Sequence, residues 1–386
     1  MAIDKRAIME QTIAAIRKKM PDQTIGRYEE YGGKADVQCL STGSLAVDWA
    51  LGGGVAKGRI IDIVGHTSSG KTTLALTMCA ELQKKIEREE GRKANILYVD
   101  SENALDPKYA KKLGCNFDDI YLIQPDCGEQ GYEAAEMFVN SGVADLVIID
   151  SLAAMIPKAM FEVELGEQSQ IGMGARLDSQ GIARLFGPAN KNGTTIVLLN
   201  QWKKAVKVNA FDRTDGISGN YYQPGGENFK FYLSQMIEVQ RVGKIYEKDE
   251  NGVDQLVSNQ TRVRVLKNKI APPAREADYF ITFDVGIDKA QEAIELGLQS
   301  GDVIRNGQMY TLGKYVDENG NLLKDDDNPH ARSFRGRPNF VAHLREYPDV
   351  VDELRESIKK KLLSGRDQDL GLAEGTESQE EKPIVD

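Results

Sequence analysis

Residues 65 to 73 read Gly65-His66-Thr67-Ser68-Ser69-Gly70-Lys71-Thr72-Thr73: a glycine, four residues, a second glycine, a lysine and a threonine. Every fixed position of the phosphate-loop pattern is filled. The apolar run Ile60-Ile61-Asp62-Ile63-Val64 precedes the loop and Leu74-Ala75-Leu76-Thr77-Met78 follows it, which sets the motif between a buried strand and a helix N-terminus. Gly65 and Gly70 let the backbone turn its N–H groups toward phosphate oxygens, and the helix dipole adds partial positive charge at the same point. The segment 65–73 therefore binds a nucleoside triphosphate. Lys71 reaches the β and γ phosphates, the Thr72 hydroxyl ligates Mg²⁺, and Thr73 is the next helical residue.

A length of 386 residues gives one large domain with smaller appendages, and 41% hydrophobic residues supply a substantial core. Cys39, Cys79, Cys115 and Cys127 follow no metal-ligand spacing and no charged n-region with an apolar segment opens the chain, so a reduced, cytoplasmic setting is expected. No stretch reaches the roughly 20 apolar residues of a membrane span, so no membrane partner is expected. The net charge of −10 argues at first sight against nucleic acid. Residues 366–386, however, hold seven acidic and two basic residues, which places −5 of that total in the tail and leaves a mildly acidic body.

Residues 1–33 carry Met9, Ile13, Ile16 and Met20 at spacings of four, three and four, a narrow helical stripe beside Lys5, Arg6, Arg17, Lys18 and Lys19. This segment is too small to fold alone, and Gly32-Gly33 marks a linker after it. Residues 34–288 alternate strands and helices, with apolar runs at 60–64, 95–100, 119–124, 145–150 and 194–199. That rhythm predicts an α/β core, a mostly parallel central sheet flanked by helices on both faces. The runs 235–242 and 261–266 alternate apolar and polar residues without long helices between them, so they are expected as antiparallel additions at the sheet edge. Residues 289–364 read as a smaller α+β unit closing in a basic helix near 349–363, and 365–386 as a disordered acidic tail.

A phosphate loop alone does not separate a kinase, a transporter motor, a helicase and a recombinase. The acidic residues do more. Asp150 ends the apolar strand Leu146-Val147-Ile148-Ile149 and is the natural second anchor for Mg²⁺, held through water at the sheet edge where ligands bind. Ser151 follows it, where some motor ATPases carry the glutamate that activates water, so the base must come from elsewhere. Glu102 is the candidate, because it follows the strand Ile96-Leu97-Tyr98-Val99-Asp100 at the same edge. A third strand ends in Asn200-Gln201, which reads equally as an amide that detects the γ-phosphate and as a plain polar strand end.

From Trp202 to Pro224 the chain interleaves Lys203, Lys204, Lys207 and Arg213 with Trp202, Phe211, Tyr221 and Tyr222, without periodicity. Cations that follow a phosphate backbone, with aromatic faces for bases, are what sequence-tolerant single-strand binding needs. A mobile surface loop of ordinary kind has the same composition. The position directly after a γ-phosphate sensor favours the binding loop, because such a loop can be ordered or released by the nucleotide state.

At this point the chain resembles the RecA family of recombinases. The likeness runs from the N-terminal helix into the C-terminal unit and rests on the phosphate loop, Leu40-Ser41-Thr42-Gly43-Ser44 through Asp48, Glu102-Asn103-Ala104-Leu105-Asp106-Pro107 with Tyr109, and Gln124-Pro125-Asp126 with Gly128-Glu129-Gln130. It continues in Asn200-Gln201, Gly225-Gly226 with Lys230-Phe231-Tyr232, and Lys267-Asn268-Lys269-Ile270-Ala271-Pro272. The resemblance implies Glu102 as the catalytic carboxylate, Asp106 and Tyr109 as contacts to adenine, and Gln201 as the link between γ-phosphate and a DNA loop ending at Gly225 and Gly226. It also implies that Lys267 and Lys269 act in trans on the ATP of a neighbouring subunit, as an arginine finger does. A first DNA loop, about Glu162 to Arg176, is one residue longer than the family pattern, with Ile171 where methionine is common and Asn103 upstream where many relatives have histidine. Its glutamates exclude a purely electrostatic role, so Ile171 is expected to wedge between bases and Arg176 to meet phosphate.

These observations predict an ATPase using ATP and Mg²⁺ that polymerises on single-stranded DNA, pairs it with double-stranded DNA and exchanges strands, in an open head-to-tail filament with itself. A ring-shaped helicase or regulatory ATPase with the same core is the alternative, and a nucleotide-binding module without DNA the third. Single-strand binding protein, loader proteins and a self-cleaving repressor are further partners that the resemblance brings into view.

Overall fold

The computed structural model describes residues 4–20, 25, 37–163, 172–204, 221–248, 252–318, 321–323, 325 and 327–364. The apolar runs become strands of one nine-stranded sheet, in the order Gly286–Ile287, Glu276–Thr282, Asp254–Asn268, Gln235–Lys248, Ile60–Gly65, Thr195–Gln201, Leu146–Asp150, Ile96–Asp100, Ile120–Ile123. The six strands from Gln235–Lys248 to Ile120–Ile123 are mutually parallel. Successive side chains of each strand serve opposite faces. Ile61, Ile63, Ile148, Val197 and Leu199 join one hydrophobic cluster, while Ile60, Val64, Val147, Ile149, Ile196 and Leu198 join the other. The helix Lys71–Glu90 contributes Leu74, Met78 and Leu82 to the first cluster, and the helices Gly128–Asn140 and Met173–Asn192 close the second with Tyr132, Ile182 and Leu185.

One expectation is corrected. The 235–242 run belongs to a longer strand that pairs in parallel with Ile60–Gly65, so the phosphate-loop strand lies inside the sheet; antiparallel pairing begins only at the next neighbour, Asp254–Asn268. A parallel return needs a crossover, and crossovers are normally read from a helix. Here the connection from residue 201 to 235 contains no α-helix among its described residues, only the short strands Lys203–Lys204 and Tyr221–Tyr222 and the turn Asn228–Phe231, so the pattern looked antiparallel.

The C-terminal residues build the helix Lys289–Ser300, a small antiparallel sheet of Val303–Asn306, Met309–Leu312 and Phe334–Arg335, and the helices Arg337–Glu346 and Pro348–Ser364. Glu292, fully buried, fastens them to the core. It accepts from the Ser44 hydroxyl, from Leu45 N at 3.0 Å and Ala46 N at 3.1 Å, and from Arg355 on the last helix. Its carboxylate thereby serves the open N–H groups of the helix Leu45–Leu51. Residues Met1–Gln38 form a separate unit, in which the helix Lys5–Lys19 is capped by Asp4 and buries none of its residues. The tail beyond residue 364 lies outside the described residues.

Candidate nucleotide-binding site

The loop between Ile60–Gly65 and Lys71–Glu90 is shaped by two close approaches. A Cβ on Gly65 would lie 2.3 Å from the Val239 carbonyl oxygen, and Gly70 holds φ +100° against the Ile281 side chain. Lys71 turns back over the loop, its Nζ donating to the Gly65 carbonyl at 3.2 Å and the His66 carbonyl at 2.9 Å. Burial lowers its pKa, with the charges of Asp150 and Glu102 acting the other way. An ammonium with carbonyl partners in a half-enclosed loop is a cation ready to exchange those partners for phosphate oxygens.

The Thr72 hydroxyl donates to Asp150 Oδ2 at 3.0 Å, and Tyr98 donates to the same oxygen at 2.7 Å. Burial pushes the Asp150 carboxyl up while these two hydrogen bonds pull it down. A hydroxyl beside a carboxylate is a hard oxygen set of the kind that suits Mg²⁺ with its waters. Among the described residues no group of three or more His, Cys, Asp and Glu could hold a metal by protein ligands alone.

Glu102 lies on a turn that Asp100 organises by accepting from Ala104 N at 3.1 Å and Leu105 N at 3.3 Å. Its Oε1 accepts from Gln201 Nε2 at 2.7 Å and from the Ser151 hydroxyl, and Gln201 Oε1 in turn accepts from the Thr67 hydroxyl at 3.4 Å. One chain of hydrogen bonds thus joins the phosphate loop, the carboxylate and the strand end. The polar strand end is a wired amide.

A cleft of about 220 Å³ opens beside Ser68–Thr73. Tyr109 lines it and its hydroxyl lies 2.9 Å from Thr73 Oγ1, whereas Asp106 is occupied as the N-cap of the helix Pro107–Lys112 and does not line it. The same cleft is lined by Arg241, Asn259, Thr261, Ile281 and Phe283, which sequence reasoning missed. Alternation along their strands marks which face they share; only the pairing of these strands beside Ile60–Gly65 brings that face to the loop. Lys267 and Lys269 are not in the cleft. Their Nζ atoms donate to the Lys230 carbonyl at 2.6 Å and the Phe231 carbonyl at 3.1 Å.

The stems of the two expected DNA loops meet each other. A Cβ on Gly226 (φ +75°) would lie 3.1 Å from the Ala175 Cβ, and the Ser179 hydroxyl donates to the Gly225 carbonyl at 3.5 Å. Arg176 lines a groove of about 850 Å³ at this junction together with Gly226 and Phe231. Lys203 and Lys204 pair with Tyr222 and Tyr221 in a two-stranded ribbon, and Tyr221 sets its ring edge-on to His66 with centroids 4.9 Å apart. Trp202 turns inward, its indole N–H donating to Glu238 Oε1 at 2.9 Å. Ile171, Lys207, Phe211 and Arg213 lie outside the described residues.

No helix among the described residues is long and apolar enough to cross a membrane. Residues 7–288 match the family model for the RecA N-terminal domain. Curated relatives extend the likeness to the full length. "Protein RecA" of Blastochloris viridis is 36% identical over 384 residues, spanning 98% of this chain and 99% of the relative. The proteins of the same name from Thioalkalivibrio sulfidiphilus and Psychrobacter arcticus are 38% and 36% identical, over 94% and 99% of this chain and 99% of each relative. With this coverage, and a phosphate loop set inside a mostly parallel sheet, the chain belongs to the RecA family, the DNA-dependent ATPases of homologous recombination and DNA repair.

Proposed function

We propose that the chain binds ATP with Mg²⁺ through residues 65–73, Tyr109 and Asp150, polymerises on single-stranded DNA and couples hydrolysis to the grip of the 202–226 segment on that DNA. The carrying observation is the hydrogen-bonded path from Thr67 through Gln201 to Glu102, because Gln201 ends the strand that leads directly into Trp202, Lys203 and Lys204. Lys71 neutralises the β and γ phosphates. When bound, Mg²⁺ supplies charge neutralisation of the transferring phosphoryl group. Glu102 orients and deprotonates the attacking water, and Gln201 passes the loss of the γ-phosphate to the loop.

Lys267 and Lys269 complete the site of a neighbouring subunit; their place outside the chain's own cleft supports this. Subunits join through the N-terminal stripe, whose Met9 and Met20 are 60% and 47% exposed. A fitting acceptor is the sheet-edge strand Ile120–Ile123 with exposed Tyr121 and Leu122. A stripe on one face and an acceptor on another give a heterologous contact, which propagates as an open helix. The test is ATP turnover with and without poly(dT), with electron microscopy of the product. DNA-stimulated turnover in open filaments is expected; DNA-indifferent turnover in closed rings overturns the reading.

A further inference from the structure

The two stems of the 205–220 segment are each held by a buried carboxylate. On the outgoing side Trp202 donates to Glu238, which is fully buried. On the returning side the buried Gln223 donates through Nε2 to Oδ2 of Asp62, itself fully buried in the phosphate-loop strand three residues before Gly65. Asp62 Oδ1 and Gln223 Oε1 are both buried and both without a hydrogen-bond partner. Two such acceptors on groups already joined by one hydrogen bond call for a donor between them, and the neighbouring Asn200 amide donates to the Pro224 carbonyl at 3.1 Å. A proton on Asp62 supplies the donor that serves both, closing a ring of Nε2–H to Oδ2 and Oδ1–H to Oε1. Burial pushes this carboxyl up to about 7, opposed by the hydrogen bonds of Gln223 and Asn200 and by the charge of Lys230. The other charged group nearby on the adjoining strand is Glu238, two residues beyond the Met236 that stands opposite Asp62, and Arg264 lies 3.6 Å from it.

We propose that Asp62, as a neutral acid, and Gln223 form an acid–amide pair that anchors the return stem of the loop to the strand carrying the phosphate loop, which makes both of them positioning residues. The proposal rests on the reading of 202–226 as the DNA-gripping segment. Entry and exit of the loop are then tied to the nucleotide site by different means. Gln201 reports on the pocket itself, through Thr67 and Glu102, while Gln223 is bolted to the sheet. The native carboxyl keeps its proton up to about pH 7, whereas an unfolded aspartate gives it up near the ordinary aspartate value of 3.8. The anchor's contribution is therefore full below about pH 3.8, falls progressively as pH rises and is lost by about pH 7.

The test uses the full-length protein with Gln223→Met and Asp62→Asn. Asparagine keeps both hydrogen bonds of the ring as an amide–amide pair and has no proton to lose. The first readout is the rate of trypsin cleavage after Lys204, Lys207 and Arg213; the second is the poly(dT) concentration that half-saturates ATP turnover. Q223M is expected to be cut roughly tenfold faster at acidic pH, and D62N within about twofold of wild type. The ratio of the wild-type to the D62N cleavage rate, which cancels the protease's own pH dependence, should rise from about pH 6 and level off above about pH 7, a comparison that carries the test even if Q223M does not fold. D62N cut as fast as Q223M, or a ratio indifferent to pH, overturns the anchor. If the cleavage pattern appears as expected but poly(dT) half-saturation is unmoved in Q223M, the anchor stands and the DNA role of the loop fails.

Discussion

At the scale of single residues, the fixed positions of the phosphate loop were legible because their backbone geometry tolerates few alternatives. Gly70 at φ +100° and Gly65 against Val239 leave no room for a side chain. Asp150 and Glu102 were legible for a different reason, since parallel strands deliver the residues at their C-terminal ends to one edge. Phe283 and Arg241 were not, because what brings them to the cleft is long-range pairing. The chemistry of Glu102 is separable from its packing. Glu102→Gln keeps an acceptor for Gln201 and Ser151 but cannot take a proton from water. Turnover should fall by about 100- to 10,000-fold with ATP affinity and filament formation retained, measured as kcat beside the Kd for a fluorescent ATP analogue. An affinity loss as large as the rate loss would recast Glu102 as a binding residue.

At the scale of elements, hydrophobic runs identified five parallel strands; four of them are buried along their length, and a strand covered on both faces is apolar over most of it. They did not identify strand order, and a run of alternating residues carries no information on the direction of its partner. The junction of the C-terminal helices with the core was equally hidden, because Glu292 reads as one more acid on a charged helix until Ser44, Leu45, Ala46 and Arg355 converge on it. Its substitution tests how that junction is held. Glu292→Gln strands the Arg355 guanidinium, whose side chain is only 15% exposed, and should lower unfolding stability by about 3–5 kcal/mol in urea titrations. A loss under about 1 kcal/mol would assign the junction to apolar packing of Val351, Leu354 and Ile358 instead.

At the scale of the whole molecule, the proposed trans role of Lys267 and Lys269 gives one chain most of a catalytic site and the cations for another. Mixing Lys267→Ala, Lys269→Ala protein with Glu102→Gln protein should restore part of the hydrolysis that neither has alone, because some interfaces then combine an intact carboxylate with intact lysines. Recovery is measured as DNA-stimulated phosphate release against the mole fraction of each variant, and a flat response in demonstrably mixed filaments would place the lysines in cis. If the lysines resting on the Lys230 and Phe231 carbonyls, outside the chain's own cleft, act in trans as proposed, they also fix an arithmetic of ends. An open row of n subunits has n − 1 junctions, so one terminal subunit always carries nucleotide that it cannot burn. Short rows waste a larger fraction of their members than long ones, turnover per subunit climbs with length toward a plateau, and a lone chain in solution stays charged and idle until another arrives.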